Sequence, residues 1–276
     1  MSTWLITGCS TGLGRALANV VLEAGHNVVV TAREDARVKD IADAYPGRTL
    51  ALSLDVTDQD QVTAAARAGE EHFGTVDVLV NNAGYGFRGA IEEASRAEAQ
   101  ALFDANLFGA VAMIQAVLPG MRARRSGAIV NVSSIGARIA HAGSGYYAAS
   151  KAALEAMSSA LAKEVGPLGI SVTAVEPGAF RTDFAGRSLQ QSAAVIDDYA
   201  ETAGKRRKEN DRSDGTQIGD PERGARVILA AVEADHTPSF LLLGPDAAKA
   251  YERALEAERA EVDTWRDHSV TTSYPD

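Results

Sequence analysis

Close to its start the chain reads Thr7-Gly8-Cys9-Ser10-Thr11-Gly12-Leu13-Gly14. The glycines follow a G-x3-G-x-G spacing and stand between a short apolar run and a segment of helical periodicity. Gly8 permits a sharp turn, Gly12 has no side chain to obstruct a pyrophosphate, and Gly14 lets helix and strand lie close together. The N–H groups that begin the helix have no partners within it and can face phosphates. Gly8, Ser10, Thr11, Gly12, Leu13 and Gly14 are therefore the candidate phosphate-binding residues. A tight loop without a ligand is the alternative, but the place of the turn after the first strand favours a dinucleotide. Cys9, the one cysteine, reads as a small turn residue, since no histidine stands near it in sequence to activate a thiol.

The second strand ends in Thr31-Ala32-Arg33. An acid here would bind a ribose 2′-hydroxyl and favour NAD(H). No acid occupies 31–33, and Arg33 can pair with a 2′-phosphate, with Arg15 and Arg37 in support. NADP(H) is the expected cofactor, although Arg33 could instead simply begin a solvated helix. Farther along, Tyr147 and Lys151 stand four apart and share a face of a predicted helix. A free phenol ionises near pH ~10, and a neighbouring ammonium lowers that value. Such a tyrosine is a candidate general acid and base; the plain alternative is an exposed helix pair. Tyr146 has Ser150, not a lysine, four residues on.

The elements that must carry these residues alternate. Apolar runs at 3–7, 28–30, 49–54, 76–80, 128–132, 170–175 and 239–243 read as strands. Helical spacing is found at 13–24, 35–45, 58–73, 96–123, 146–165, 221–233 and 246–265. Gly25, Pro46-Gly47 and Gly166-Pro167 close three of the helices. Strands that are apolar on both faces and alternate with helices predict an α/β fold, a Rossmann-like doubly wound parallel sheet of about seven strands. We read one domain over residues 1–245. Residues 178–219, polar and without clear periodicity, are expected to form a lid, and 246–276 a helical extension. The lid's Phe180, Phe184, Leu189, Val195, Ile196 and Tyr199 suggest a fairly apolar substrate. Its run Lys205-Arg206-Arg207-Lys208 reads as a solvated face rather than a dock for an anion.

The net charge of −10 disfavours nucleic acid and anionic lipid as partners. No uninterrupted apolar stretch approaches the ~18 residues of a membrane span. The N-terminus lacks the pattern of a signal peptide, so the expected location is cytoplasmic. His26, His72, His141, His236 and His268 show no metal-ligand spacing, and no metal is expected. His141, between Ser134 and Tyr147, reads as a solvated loop residue rather than a substrate contact.

Taken in order, Thr7-Gly8-x3-Gly12-x-Gly14, Asn81-Asn82-Ala83-Gly84, Asn106, Ser134, Tyr147-x3-Lys151 and Pro177-Gly178-x3-Thr182 resemble the motifs of the short-chain dehydrogenase/reductase family. The resemblance runs from Thr3 to about Leu243. Val29-Val30-Thr31-Ala32-Arg33 and the stretch 176–184 look most like its steroid-dehydrogenase-like, NADP-dependent branch. The resemblance implies hydride transfer between NADP(H) and a carbonyl or secondary alcohol. Tyr147 would exchange the proton, Lys151 would lower its pKa and hold the nicotinamide ribose, and Ser134 would hydrogen-bond the substrate oxygen, with Ser133 as rival. Asn106 would hold a water in the proton relay; otherwise it is a helix-interior amide. Asn82, Ala83 and Gly84 would line the adenine-ribose side and brace the sheet. Asp55, with Val56 beside it, would contact adenine; otherwise it caps a helix. Pro177 and Gly178 would turn the chain over the nicotinamide, and Thr182 would meet its carboxamide. A homodimer or homotetramer through 96–123 and 146–165 is also implied. The competing class is an NADP(H)-binding sensor without turnover. A sugar-nucleotide epimerase or dehydratase would need more C-terminal substrate domain than the chain offers.

Overall fold

In the first strand, β1 (Thr3–Ile6), Trp4 and Ile6 face one side while Leu5 faces the other, and all three are fully buried. That double burial is what an apolar run in a parallel sheet requires. The computed structural model describes residues 1–184, 186, 188–213 and 215–274. From β1 the chain runs through α1 (Gly12–Glu23), β2 (Asn27–Ala32), α2 (Lys39–Ala44), β3 (Thr49–Ser53), α3 (Gln59–Phe73), β4 (Val78–Asn81) and β5 (Gly86–Arg88). It continues through α4 (Arg96–Phe103), α5 (Gly109–Arg124), β6 (Gly127–Val132), α6 (Gly145–Val165), β7 (Ile170–Pro177) and β8 (Leu189–Gln191). The last elements are α7 (Ala203–Ser213), α8 (Pro221–Glu233), β9 (Phe240–Leu243) and α9 (Pro245–Ser269).

Seven parallel strands form the main sheet in the order β3-β2-β1-β4-β6-β7-β9. Leu17, Val20 and Val21 of α1 and Ile228 and Leu229 of α8 cover one face. Val62 of α3, Met113 and Val117 of α5 and Leu161 of α6 cover the other. The Rossmann-like doubly wound sheet is thus the fold. Strand order reverses between β1 and β4, and a crevice outside the carboxyl ends of the strands opens at such a point.

Four sequence expectations need correction. The helix expected at 35–45 divides into a 3-10 turn, Asp35–Arg37, and α2. The single helix expected at 96–123 is interrupted by a five-residue π turn, Asp104–Phe108, between α4 and α5. Side-chain bonds from Asn106 and the seating of Gly109 on Val56 hold this turn. The lid segment is not irregular throughout: β8 pairs in parallel with β5, and α7 follows. Strands of three residues are too short to show a period. The C-terminal helix extends to Ser269. Its first turns dock through buried Ala247 and through Tyr251, whose ring lies 5.8 Å from that of Phe240. Beyond them, Leu255, Val262 and Trp265 are exposed. Among the described residues, 96–124 is long and apolar enough to cross a membrane by composition. It lies instead across the sheet, with Leu102, Met113, Val117 and Met121 buried.

Candidate active site

The glycine turn is built by the end of β4. Thr7 Oγ1 accepts from the N–H groups of Asn82 and Ala83 at 3.0 and 2.9 Å. Asn82 Nδ2 donates to the carbonyls of Thr7 and Gly8 at 2.8 and 3.0 Å. A Cβ on Gly14 would collide with that amide, so Gly14 is required by packing inside the protein. Gly8 and Gly12 have φ of +74° and +62°, the left-handed region that favours glycine. A Cβ on Gly12 would stand 3.3 Å from the Thr182 side chain, so the turn faces the 177–182 segment. Thr11 precedes α1 without a capping bond from its side chain, so the N–H groups of the first turn, around Leu13, stay open beside half-buried Ser10. An uncapped helix start behind a glycine cradle fits a pyrophosphate.

Cys9 is no nucleophile. It is fully buried, its thiol donates to the Ile6 carbonyl at 3.2 Å, and burial pushes its pKa up to about 12. Arg33 stands exposed just past β2. Arg15 is committed to Asp40, and Arg37 pairs with Glu34 at 3.4 Å. Asp55 accepts from Thr57 N and Oγ1 at 2.9 and 2.7 Å, next to half-buried Val56. It does not cap α3; Asp58 does so, accepting from Asp60 and Gln61.

Helix α6 carries the tyrosine and the lysine. A buried amide ladder fixes it to the sheet: Asn81 Nδ2 donates to Asn131 at 2.8 Å, and Asn131 donates to Ser158 of α6 at 2.8 Å. Tyr147 is 7% exposed. Burial raises its pKa, while a hydrogen bond from Ser134 and the charge of Arg88 oppose the rise. Ser134 also accepts from Gly136 N at 3.0 Å. Ser133, the rival serine, donates instead to Glu155 at 2.6 Å. Tyr146 turns to Phe87, at 6.5 Å between rings.

Lys151 differs from the expectation placed on it. Its ammonium is buried and donates to the Val132 carbonyl at 2.8 Å. The cation over the Tyr147 ring is Arg88, 5.9 Å from the centroid. A buried ammonium must find acceptors, and the end of β6 supplies one. Burial brings the Lys151 pKa down to about 8, with Glu155 one turn on opposing.

Asn106 is 1% exposed. It accepts from Tyr85 N at 2.9 Å and donates to Tyr85 O at 3.0 Å and Ser150 Oγ at 3.1 Å. A Cβ on Gly84 would lie 2.8 Å from Asn106 Oδ1 and 3.4 Å from Lys151 Nζ, so these three converge. The amide of Asn106 is thus committed to protein partners and orders the loop after Asn82-Ala83-Gly84. Pro177 ends β7, and the Gly178 turn is held by α9: Asp246 accepts from Ala179 N at 2.7 Å.

The lid closes over this floor. Phe184 lies tilted against the Tyr147 ring, 5.8 Å between centroids. The basic run is a solvated face only in part. Lys205 and Lys208 are exposed, whereas half-buried Arg207 pairs with Glu93 at 2.5 Å and donates to Ser192 at 2.6 Å. His141 is exposed on its loop. Sequence reading missed Arg88, Glu93, Glu155, Glu176 and Asp246. Glu155 had a signal, standing four residues from Lys151. Glu176 had another, as an acid at the end of an apolar strand; it is fully buried on Arg138 at 2.9 Å. Arg88 stood out only as a lone cation two residues past a glycine. Burial drives the Glu155 carboxyl up to about 7, partly relieved by Ser133. No cluster of metal-ligating side chains occurs among the described residues.

Comparison with known proteins agrees with this geometry. Residues 2–193 match the family model of the short chain dehydrogenases. An oxidoreductase of Botryotinia fuckeliana, BOA17, is 38% identical over 271 residues, covering 98% of each chain. A 3-ketodihydrosphingosine reductase of Bacteroides thetaiotaomicron is 40% identical over 199 residues, 72% of this chain and 71% of that one. The crystal structure of a short-chain dehydrogenase from Streptomyces avermitilis superposes with a TM-score of 0.92 at 42% identity, over 99% of this chain and 100% of the other. The chain belongs to the short-chain dehydrogenase family, a family of nicotinamide-dependent oxidoreductases.

Proposed function

We propose that the protein reduces a ketone or aldehyde to an alcohol with NADPH, and runs the reverse reaction with NADP+. The observation that carries this is the hydrogen bond between Ser134 and Tyr147 on the helix that also bears buried Lys151, together with an uncapped helix start behind a glycine turn. Gly8, Gly12, Gly14 and the first N–H groups of α1 would hold the pyrophosphate. Exposed Arg33, with no acid at 31–33, would take the 2′-phosphate. Lys151 and the Gly84 loop would meet the nicotinamide ribose, and Thr182 its carboxamide. The reduced nicotinamide supplies a hydride when bound.

The protein's part is to place and protonate the carbonyl. Ser134 and Tyr147 hydrogen-bond its oxygen, and Tyr147 gives up its phenolic proton as charge develops there. Lys151, its pKa brought near neutrality, can return a proton to that region. Phe184 over Tyr147 excludes water and presents an apolar wall, so a fairly apolar substrate body is favoured. The net charge of −10 disfavours nucleic acid and anionic lipid as partners, and we place the enzyme in the cytoplasm as a homo-oligomer of the family's kind.

Titration of the purified protein with NADPH and NADH, followed by loss of nicotinamide absorbance over a panel of ketones and aldehydes, tests the reading. Tighter NADPH binding with turnover of some carbonyl is the expected result. Tight binding with no turnover across a broad panel would turn the reading toward a nucleotide sensor.

A further inference from the structure

Arg88 ends β5, the short strand that follows Asn82-Ala83-Gly84, and its side chain is drawn inward. The residue is only 6% exposed, and its guanidinium lies 5.9 Å from the centre of the Tyr147 ring. Nη1 donates to the carbonyl of Phe87 at 3.0 Å, while Nε is buried without an acceptor. No carboxylate pairs with it among the described residues. Arg207, on the lid itself, shows the ordinary arrangement, with Glu93 at 2.5 Å. A second guanidinium, Arg206 of α7, stands close enough to repel Arg88. Burial and that repulsion bring the Arg88 pKa down to about 10, partly offset by Tyr147. A buried cation of this kind is costly to keep unless an anion completes it.

The glycine turn that would hold the cofactor's phosphates has Thr182, not Arg88, beside it. Arg88 faces the acid–base residue, where substrate must sit. In a chain of net charge −10, a negatively charged molecule is drawn to a cleft only where local cations outweigh the rest.

We propose that Arg88 anchors a carboxylate of the substrate, so that the preferred substrates are carbonyl compounds carrying a carboxylate a few atoms from the reacting carbon. The inference rests on the reductase reading above. A planar guanidinium holds a carboxylate through paired N–H bonds and would fix which carbonyl meets Tyr147. The apolar wall at Phe184 then receives the remainder of the molecule.

The test compares straight-chain keto acids, with increasing numbers of methylenes between the two groups, against their methyl esters, following NADPH oxidation. Wild type is expected to prefer at least one acid to its ester in kcat/KM. In Arg88→Met the loss on that acid should exceed the loss on its ester by about thirtyfold, the worth of a charge-assisted hydrogen bond. Arg88→Lys should fall between. Equal losses on acid and ester would show that Arg88 acts only through Tyr147, and would overturn the proposal, as would no preference for any acid in wild type. If wild type turns over no carbonyl, the reductase reading fails separately. The anchor is then read by titrating the enzyme–NADPH complex with butyrate and hexanoate against their amides, by cofactor fluorescence. Weaker carboxylate binding in Arg88→Met, with amide binding alike in both proteins, supports the proposal; no difference overturns it. Arg88→Met removes a buried charge whose Nε has no acceptor, so its melting temperature should equal or exceed that of wild type. A clear fall would mark Arg88 as a structural residue and also overturn the anchor.

Discussion

The floor of the site and its lid are held together by different kinds of contact. On the floor, side chains grip backbone: Thr7 and Asn82 lace the glycine turn to β4, Asn106 grips Tyr85, and Lys151 rests on Val132. The lid depends on long side chains that cross to distant elements. Arg207 reaches Glu93, and the same carboxylate accepts from Ala90 N at 2.6 Å and Ile196 N at 2.9 Å. Burial works against the charge on Glu93, yet these N–H groups and Arg207 hold its pKa below the usual carboxylate range. The lid segment is also tied down at Glu98 and Glu92, which accept from Ala193 N at 2.9 Å and Tyr199 OH at 2.7 Å. The floor holds the candidate cofactor and proton-transfer residues in place.

Four substitutions put that contrast to the test, and the largest effect is expected on the floor. Tyr147→Phe removes the proton donor and should lower kcat/KM by about 10²- to 10⁴-fold, while NADPH affinity, read by fluorescence titration, changes little. Turnover near the wild-type rate would show that another group moves the proton. On the lid, Arg207→Met strands Glu93 in a buried position and should cost about 3–5 kcal/mol in denaturant unfolding. Adding Glu93→Gln should recover part of the loss. If the single variant is as stable as wild type, the lid is not anchored there.

Arg33→Glu comes next. It should weaken NADPH binding by about ten- to a hundredfold and leave NADH binding unchanged or tighter, because the new carboxylate repels a 2′-phosphate and can take a free 2′-hydroxyl. A matched loss for both cofactors would place Arg33 elsewhere. The smallest effect is expected at Glu155. Its folded pKa of about 7 lies above the ordinary 4.5, so the folded state binds this proton more tightly than the unfolded chain does. The stability it contributes is full below pH 4.5 and is lost as pH rises through about 7. Glu155→Gln should flatten the fall in unfolding free energy across that window, and an unchanged slope would assign it to another group.

The sequence and the structure can be set against each other residue by residue. The alternation of apolar strands with helices determines the Rossmann-like sheet, because double burial and the helical period are written in neighbouring residues. The glycine turn, the tyrosine–lysine spacing on one helix and the lack of an acid at 31–33 are local in the same sense, and so are the candidate residues they name. What the tertiary structure alone decided lies between elements far apart in the chain. It set the π turn that Asn106 makes by reaching back to Tyr85, and the β5–β8 pairing between strands about a hundred residues apart. It also committed Arg207 to Glu93, left Arg88 over Tyr147 without an acid among the described residues, and turned Lys151 to Val132. A charged side chain carries no sign in the sequence of which partner it will find. Burial determines how strongly it needs one, and burial exists only once the chain has folded.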